Sequence, residues 1–113
     1  MNPLNHSQVE GNFVNDPNIT ETKKGEMVCK FTVATDRFFG VAGQGTEKET
    51  SFIDVVAFGE LAKICGQIGK KGRGCRVTGR LKQEKWIAED KSKRSRLVIV
   101  AENIEYQSER RAG

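Results

Sequence analysis

The sequence predicts an all-β domain, a five-stranded barrel with one short helix between its third and fourth strands. Three observations predict it. Met27, Cys29, Phe31 and Val33 alternate with Val28, Lys30 and Thr32, the pattern of a strand with one face in a core. Phe52–Phe58 is rich in β-branched and aromatic residues, which suit a pleated, half-buried surface. Only Glu60–Ile68 has apolar residues at helical spacing.

The elements follow in order. A first strand lies within Leu4–Val14, where alternation is weak, and Asn15-Asp16-Pro17-Asn18 forms a turn. The second strand carries the Met27–Val33 alternation. Gly40-Val41-Ala42-Gly43-Gln44-Gly45-Thr46 is expected to be a flexible loop. Its glycines do not fit a dinucleotide fingerprint, and no helical pattern follows. Phe52–Phe58 is the third strand. In the helix, Leu61, Ile64, Cys65 and Ile68 make one apolar stripe. Gly69 ends it, with Lys70 and Lys71 where the helix dipole favours cations. Gly66-Gln67-Ile68-Gly69 matches the GxxG loop of KH domains, but the flanking helices such a domain needs are absent. The fourth strand runs Gly74–Trp86, Glu89–Arg94 forms a polar hairpin tip, and the last strand runs from Leu97 to near Tyr106. Residues 1–106 thus form one domain, and Gln107–Gly113 is expected to be a short disordered tail. Five strands with a helix between the third and fourth is the layout of an OB-type barrel.

A chain of 113 residues supports one modest core. Its net charge of +4 is concentrated in Lys70, Lys71, Arg73, Arg76, Arg80, Lys82, Lys85, Lys91, Lys93, Arg94 and Arg96. A basic block of this kind points to a polyanion partner. Cys29, Cys65 and Cys75 are odd in number and lack paired spacing, which fits buried thiols in a reducing compartment. No metal or cofactor is expected, because no CxxC occurs and His6 is the only histidine. No run approaches the ~20 apolar residues of a membrane span, and none reads as a signal peptide. No HExxH, GxSxG or Walker pattern appears, which points away from an enzyme.

The fourth strand is the most informative segment. Strand alternation puts Arg76, Thr78, Arg80, Lys82, Glu84 and Trp86 on one face. Val77 and Leu81 point to the other, expected to be core, with Gly79 between them. Cations follow a phosphate backbone, and an aromatic ring offers an unpaired base a stacking surface. This combination points to single-stranded nucleic acid. In the third strand, Phe52, Asp54, Val56 and Phe58 share one parity, and Ile53, Val55 and Ala57 share the inward one.

These residues resemble the bacterial single-stranded DNA-binding proteins. The matching pieces are Val9-Glu10-Gly11-Asn12-Phe13 with Asp16-Pro17, Phe31-Thr32-Val33-Ala34-Thr35, and Phe52-Ile53-Asp54-Val55-Val56-Ala57-Phe58-Gly59-Glu60-Leu61-Ala62. Lys71-Gly72, Val77-Thr78-Gly79-Arg80-Leu81 through Lys85-Trp86, and Ala101-Glu102-Asn103-Ile104 complete the set. No single piece is specific, but the ordered set is. The resemblance implies an OB-fold, a homo-oligomer (a tetramer, or a dimer), a bacterial cytoplasmic location at the nucleoid, and binding of single-stranded DNA in replication, recombination and repair. It implies base stacking at Phe52, Phe58 and Trp86, and at Phe39 or its neighbour Phe38. Phosphate contacts are expected at Arg76, Arg80, Lys82 and Lys85, extended along the hairpin by Lys91, Lys93 and Arg94.

The sequence departs from the family in four ways. It ends Glu109-Arg110-Arg111-Ala112-Gly113 rather than in the acidic tip that recruits other replication proteins. The first strand carries the polar His6-Ser7-Gln8, where the family often forms subunit contacts. Asp54 places a carboxylate on the binding face. Phe replaces Trp at two stacking positions, which implies weaker stacking per base. Two other binding functions fit the same barrel: a primosomal replication protein that also binds a helicase, and an RNA-binding protein, since no residue visibly excludes a 2′-hydroxyl. A structural subunit without nucleic-acid affinity is the remaining alternative.

Overall fold

The computed structural model describes residues 1–108. It contains β1 (Ser7–Phe13), β2 (Asn18–Glu21), β3 (Met27–Val41), β4 (Gly45–Phe58), α1 (Glu60–Ile68), β5 (Gly74–Ile87) and β6 (Lys93–Tyr106). The strand order is β1-β5-β6-β4-β3-β2, and β1 also pairs with β3. Five strands therefore close on themselves as β1-β5-β6-β4-β3-β1, and β2 is a short addition on the outer edge of β3. This is the expected OB-type barrel, with α1 between its third and fourth barrel strands.

Closure rests on short contacts. β1 meets β3 only at Asn12↔Ala34 and Phe13↔Val33. Gly11 sits at this crossing, where any Cβ would run into the Ala34 carbonyl. The parallel contact between β4 and β6 is equally short, at Val55↔Ile99 and Val56↔Val100. Everywhere else the ladders are long and antiparallel.

The core inside the barrel is built from Phe13, Cys29, Phe31, Val33, Val55, Ala57, Val77, Ile99, Ala101 and Ile104, with Ala62 and Cys65 of α1 closing one end. Phe13 stacks on Phe31 with ring centroids 4.2 Å apart. Gly69 ends α1 as expected, but in an extended conformation (φ −74°), not a left-handed one. Its lack of a side chain serves packing, because a Cβ there would press on the Phe13 ring. All three cysteines are free and buried. Cys29 Sγ donates to Cys65 Sγ at 3.1 Å. That hydrogen bond and burial push the Cys29 thiol up, and burial pushes Cys75 up to about 11. Neither is a thiolate at neutral pH, so neither is primed as a nucleophile.

Three expectations are corrected. The proposed loop at Gly40–Thr46 is mostly strand, and only Ala42-Gly43-Gln44 turns the chain. Gly43 and Gly45 adopt the left-handed φ values of 75° and 81° that make so tight a turn. β3 and β4 therefore extend as one hairpin well past the barrel. The tip of the β5–β6 hairpin is likewise smaller than expected, because β6 begins at Lys93 rather than Leu97. Leu81 is not core: it is 44% exposed, because β5 leaves the barrel after Gly79 and nothing covers its inner face there. Gln107 is held, its N–H donating to the Gly74 carbonyl at 2.9 Å, so it continues the β5–β6 ladder. The rest of the expected disordered tail, from residue 109, lies outside the described residues.

Candidate nucleic-acid interface

Cross-strand partners in an antiparallel ladder share a face. On the outward face, Phe58 lies opposite Val28, Val56 opposite Lys30, Asp54 opposite Thr32 and Phe52 opposite Ala34. The same face continues on β5 and β6 through Arg80↔Val100, Lys82↔Val98, Glu84↔Arg96 and Trp86↔Arg94. Phe52 (65% exposed), Phe58 (37%) and Trp86 (46%) thus stand on one continuous sheet surface, as alternation predicts. Large aromatics left this open on an outward face are available for stacking.

Of the two neighbouring phenylalanines, Phe38 is the exposed one. Phe39 pairs with Glu47 and shares its parity with Phe31 and Val33, and it is half-buried. Phe38 pairs with Lys48, shares the parity of Ala34 and Lys30, and is 67% exposed. Two adjacent phenylalanines cannot both face the same side of a strand.

Beneath these rings lies a second apolar cluster that sequence inspection missed. Val28, Val56, Val98 and Val100 are buried although register puts them on the outward face. Longer neighbours on the same face must cover them, so the surface has a dry, firm floor. Trp86, Lys30, Glu84, Lys85 and Arg96 line a pocket of ≈ 360 Å³ above it.

The cations divide into groups. Arg80 and Lys82 share the face of Trp86. Lys85 pairs with Ser95 and Lys93 with Ile87, which gives both the opposite parity, and Lys91 sits at the tip. Among the described residues none of these five has a carboxylate within ion-pair distance. Arg94 shares the Trp86 face but also reaches Asp90 at 3.6 Å. Arg76 differs. Its guanidinium donates to Glu10 at 2.7 and 2.9 Å and lies 3.8 Å from Glu105. Glu10 holds the Arg76 cation more firmly protonated than usual. Arg76 therefore ties β1, β5 and β6 together across the sheet, unlike the cations without a carboxylate partner.

Asp54 is not a bare negative charge on this face. It accepts from Thr32 Oγ1 at 2.9 Å and is paired with Arg96 at 3.3 Å. Arg96 also binds Glu84 at 3.0 Å, and its guanidinium carbon lies 6.0 Å from the Trp86 ring centroid. Arg96 and Asp54 are 42 residues apart in sequence, so only the fold reveals the contact.

The closed five-strand barrel thus carries, on one outward face, exposed aromatics and, among the described residues, cations without a carboxylate partner. Residues 4–107 match the sequence pattern described as the single-strand binding protein family. The chain belongs to that family. Similar curated proteins include single-stranded DNA-binding protein 1 of Chlorobaculum tepidum, 39% identical over 83 residues, and the single-stranded DNA-binding protein of Aquifex aeolicus, 38% identical over 101 residues. These alignments cover 74% and 89% of this chain. The chain spans 51% of the Chlorobaculum protein and 68% of the Aquifex one. Among solved structures, a Plasmodium falciparum SSB in complex with ssDNA superposes with a TM-score of 0.86 at 19% identity, covering 96% of this chain and 98% of its own. At that identity the likeness concerns the fold, and it places this family member in the OB class. No helix among the described residues is long and apolar enough to cross a membrane.

Proposed function

We propose that this chain binds single-stranded DNA without strong sequence preference and protects it in replication, recombination and repair. One observation carries the proposal: Phe52, Phe58, Trp86 and Phe38 stand exposed on the outward face, beside the unpaired Arg80 and Lys82. Stacking accepts any base because every base has a π-face, and cations follow the backbone whatever the sequence. Lys85, Lys91 and Lys93 extend the positive field around the β5–β6 hairpin. The names of the Chlorobaculum and Aquifex relatives support the reading.

The working form we propose is a homo-oligomer, a tetramer or a dimer, in the bacterial cytoplasm at the nucleoid. Leu81, Ile87 and Leu97 support it: they are exposed on the face of the β5–β6 hairpin turned away from Trp86, an apolar stripe suited to a second copy. Sedimentation equilibrium tests it, and a monomer at micromolar concentration would refute it.

Titration of the single tryptophan with oligo-dT tests the main reading. Quenching that resists duplex competitor, with a salt slope of about −0.7 per engaged phosphate, is the expected result. Absence of both quenching and binding at low salt would leave the basic face to a protein partner. Equal competition by oligo-U would widen the ligand class to RNA.

A further inference from the structure

We propose that Arg96 is a positioning residue, an electrostatic latch that fixes the β5–β6 hairpin, and with it Trp86, against the barrel. The inference rests on Trp86 being a stacking residue, as proposed above. β4 and β6 pair as neighbouring strands only at Val55↔Ile99 and Val56↔Val100. On the side of lower residue number the two strands part, β4 into the β3–β4 hairpin and β6 into the β5–β6 hairpin. Arg96 stands on β6 and Asp54 on β4, at the mouth of that fork, and their 3.3 Å contact spans it. The same guanidinium binds Glu84 on β5 at 3.0 Å and lies over the Trp86 ring at 6.0 Å.

One side chain therefore joins three strands and the aromatic platform. Arg is suited to this because its planar fork can engage two carboxylates and still present a flat face to a ring. Asp54 is held in turn by Thr32 Oγ1 on β3 at 2.9 Å, so the latch is anchored in the barrel wall. Phe52 and Phe58 sit on β4 itself, whereas Trp86 sits on a hairpin that leaves the barrel. Without a tie across the fork, the spacing between Trp86 and the two phenylalanines would drift. Fixing it before DNA arrives removes an ordering cost from binding.

The test uses Trp86 fluorescence anisotropy of the DNA-free protein, followed by oligo-dT titration over a range of salt. Wild type, Arg96→Ala, Arg96→Lys and Asp54→Asn are compared, each checked for folding by its melting curve. Arg96→Ala is expected to lower Trp86 anisotropy and weaken oligo-dT binding about tenfold, the size of one exposed cation–π contact plus a small ion-pair network. Its salt slope is expected to stay unchanged, because no phosphate contact is lost. Arg96→Lys keeps the charge but not the fork and is expected to fall between. Asp54→Asn separates the latch from simple repulsion: the latch predicts a more mobile Trp86, although a charge facing phosphate has been removed. Unchanged anisotropy in Arg96→Ala, with a slope shallower by about 0.7, would make Arg96 an ordinary phosphate contact and overturn the proposal. Tighter binding by Asp54→Asn with unchanged anisotropy would overturn it too. Failure of the wild type to bind oligo-dT would sink the single-strand reading alone, since anisotropy without DNA still reports on the latch.

Discussion

The two hairpins that project from the barrel are alike in length and unlike in chemistry. Residues 36–51 of the β3–β4 hairpin hold Asp36, Glu47 and Glu49 against Arg37 and Lys48. Residues 80–97 of the β5–β6 hairpin hold seven cations against Glu84, Glu89 and Asp90. Each carries one well-exposed aromatic on the outward face, Phe38 on the first and Trp86 on the second. Arg96 lies over the Trp86 ring, while Phe38 has no ring or cation contact among the described residues. The difference teaches that the two hairpins present unequal surfaces: one offers a positive field and an anchored ring, the other mainly an open ring.

The sharpest way to break this contrast is to remove each ring. Trp86→Ala is expected to weaken oligo-dT binding by about 1–3 kcal/mol, and Phe38→Ala by the low end of that range or less. Isothermal titration on both variants decides, and equal losses would erase the asymmetry. The next effect concerns charge. Lys82→Ala is expected to make the salt slope shallower by about 0.7, whereas Lys48→Ala on the other hairpin leaves it unchanged. A matching change in Lys48→Ala would show that both hairpins engage phosphate. Arg76→Ala sharpens the comparison from outside: its cation is already bound by Glu10, so the slope should hold, with only a small fall in stability in urea melts. The smallest effect is at the β5–β6 tip. Hydrogen bonds from Ser92 hold the Asp90 carboxyl below its ordinary value. Its contribution is therefore present above the ordinary aspartate range and lost as pH falls through the lowered value. Protection of the Ser92 amide, relative to its intrinsic exchange rate, should be lost only in acid, and its loss at neutral pH would contradict that assignment.

The parts of the fold with one wet face and one dry face were legible in the sequence. Met27–Val33, Phe52–Phe58 and the helix Glu60–Ile68 each show a clean apolar period, and α1 spans the expected residues. The distal β3–β4 hairpin was not legible as strand because both its faces are wet, so alternation vanishes from Asp36 to Ser51. β2 is only 4 residues long and has no period to show. Leu81 misled for a related reason: the alternation of β5 continues past the point where the barrel ends, and sequence does not mark that point. Within the candidate site, parity puts Phe52, Phe58 and Trp86 on outward faces, and the structure leaves all three exposed. Parity leaves Phe38 and Phe39 open, because the sequence pattern ends their strand in a glycine-rich stretch near Gly40. The ion pairs of Arg76 and Arg96 needed partners 66 and 42 residues away, which no local pattern reveals.

The sealed thiols have a practical consequence. Cys29, Cys65 and Cys75 are all fully enclosed, so a maleimide dye should ignore the native chain. A single cysteine placed at Glu89 would then be the sole site of labelling in the folded protein. The molecule is in effect already blank for thiol labelling, and hairpin movement can be followed with one added atom of sulfur and no deletions.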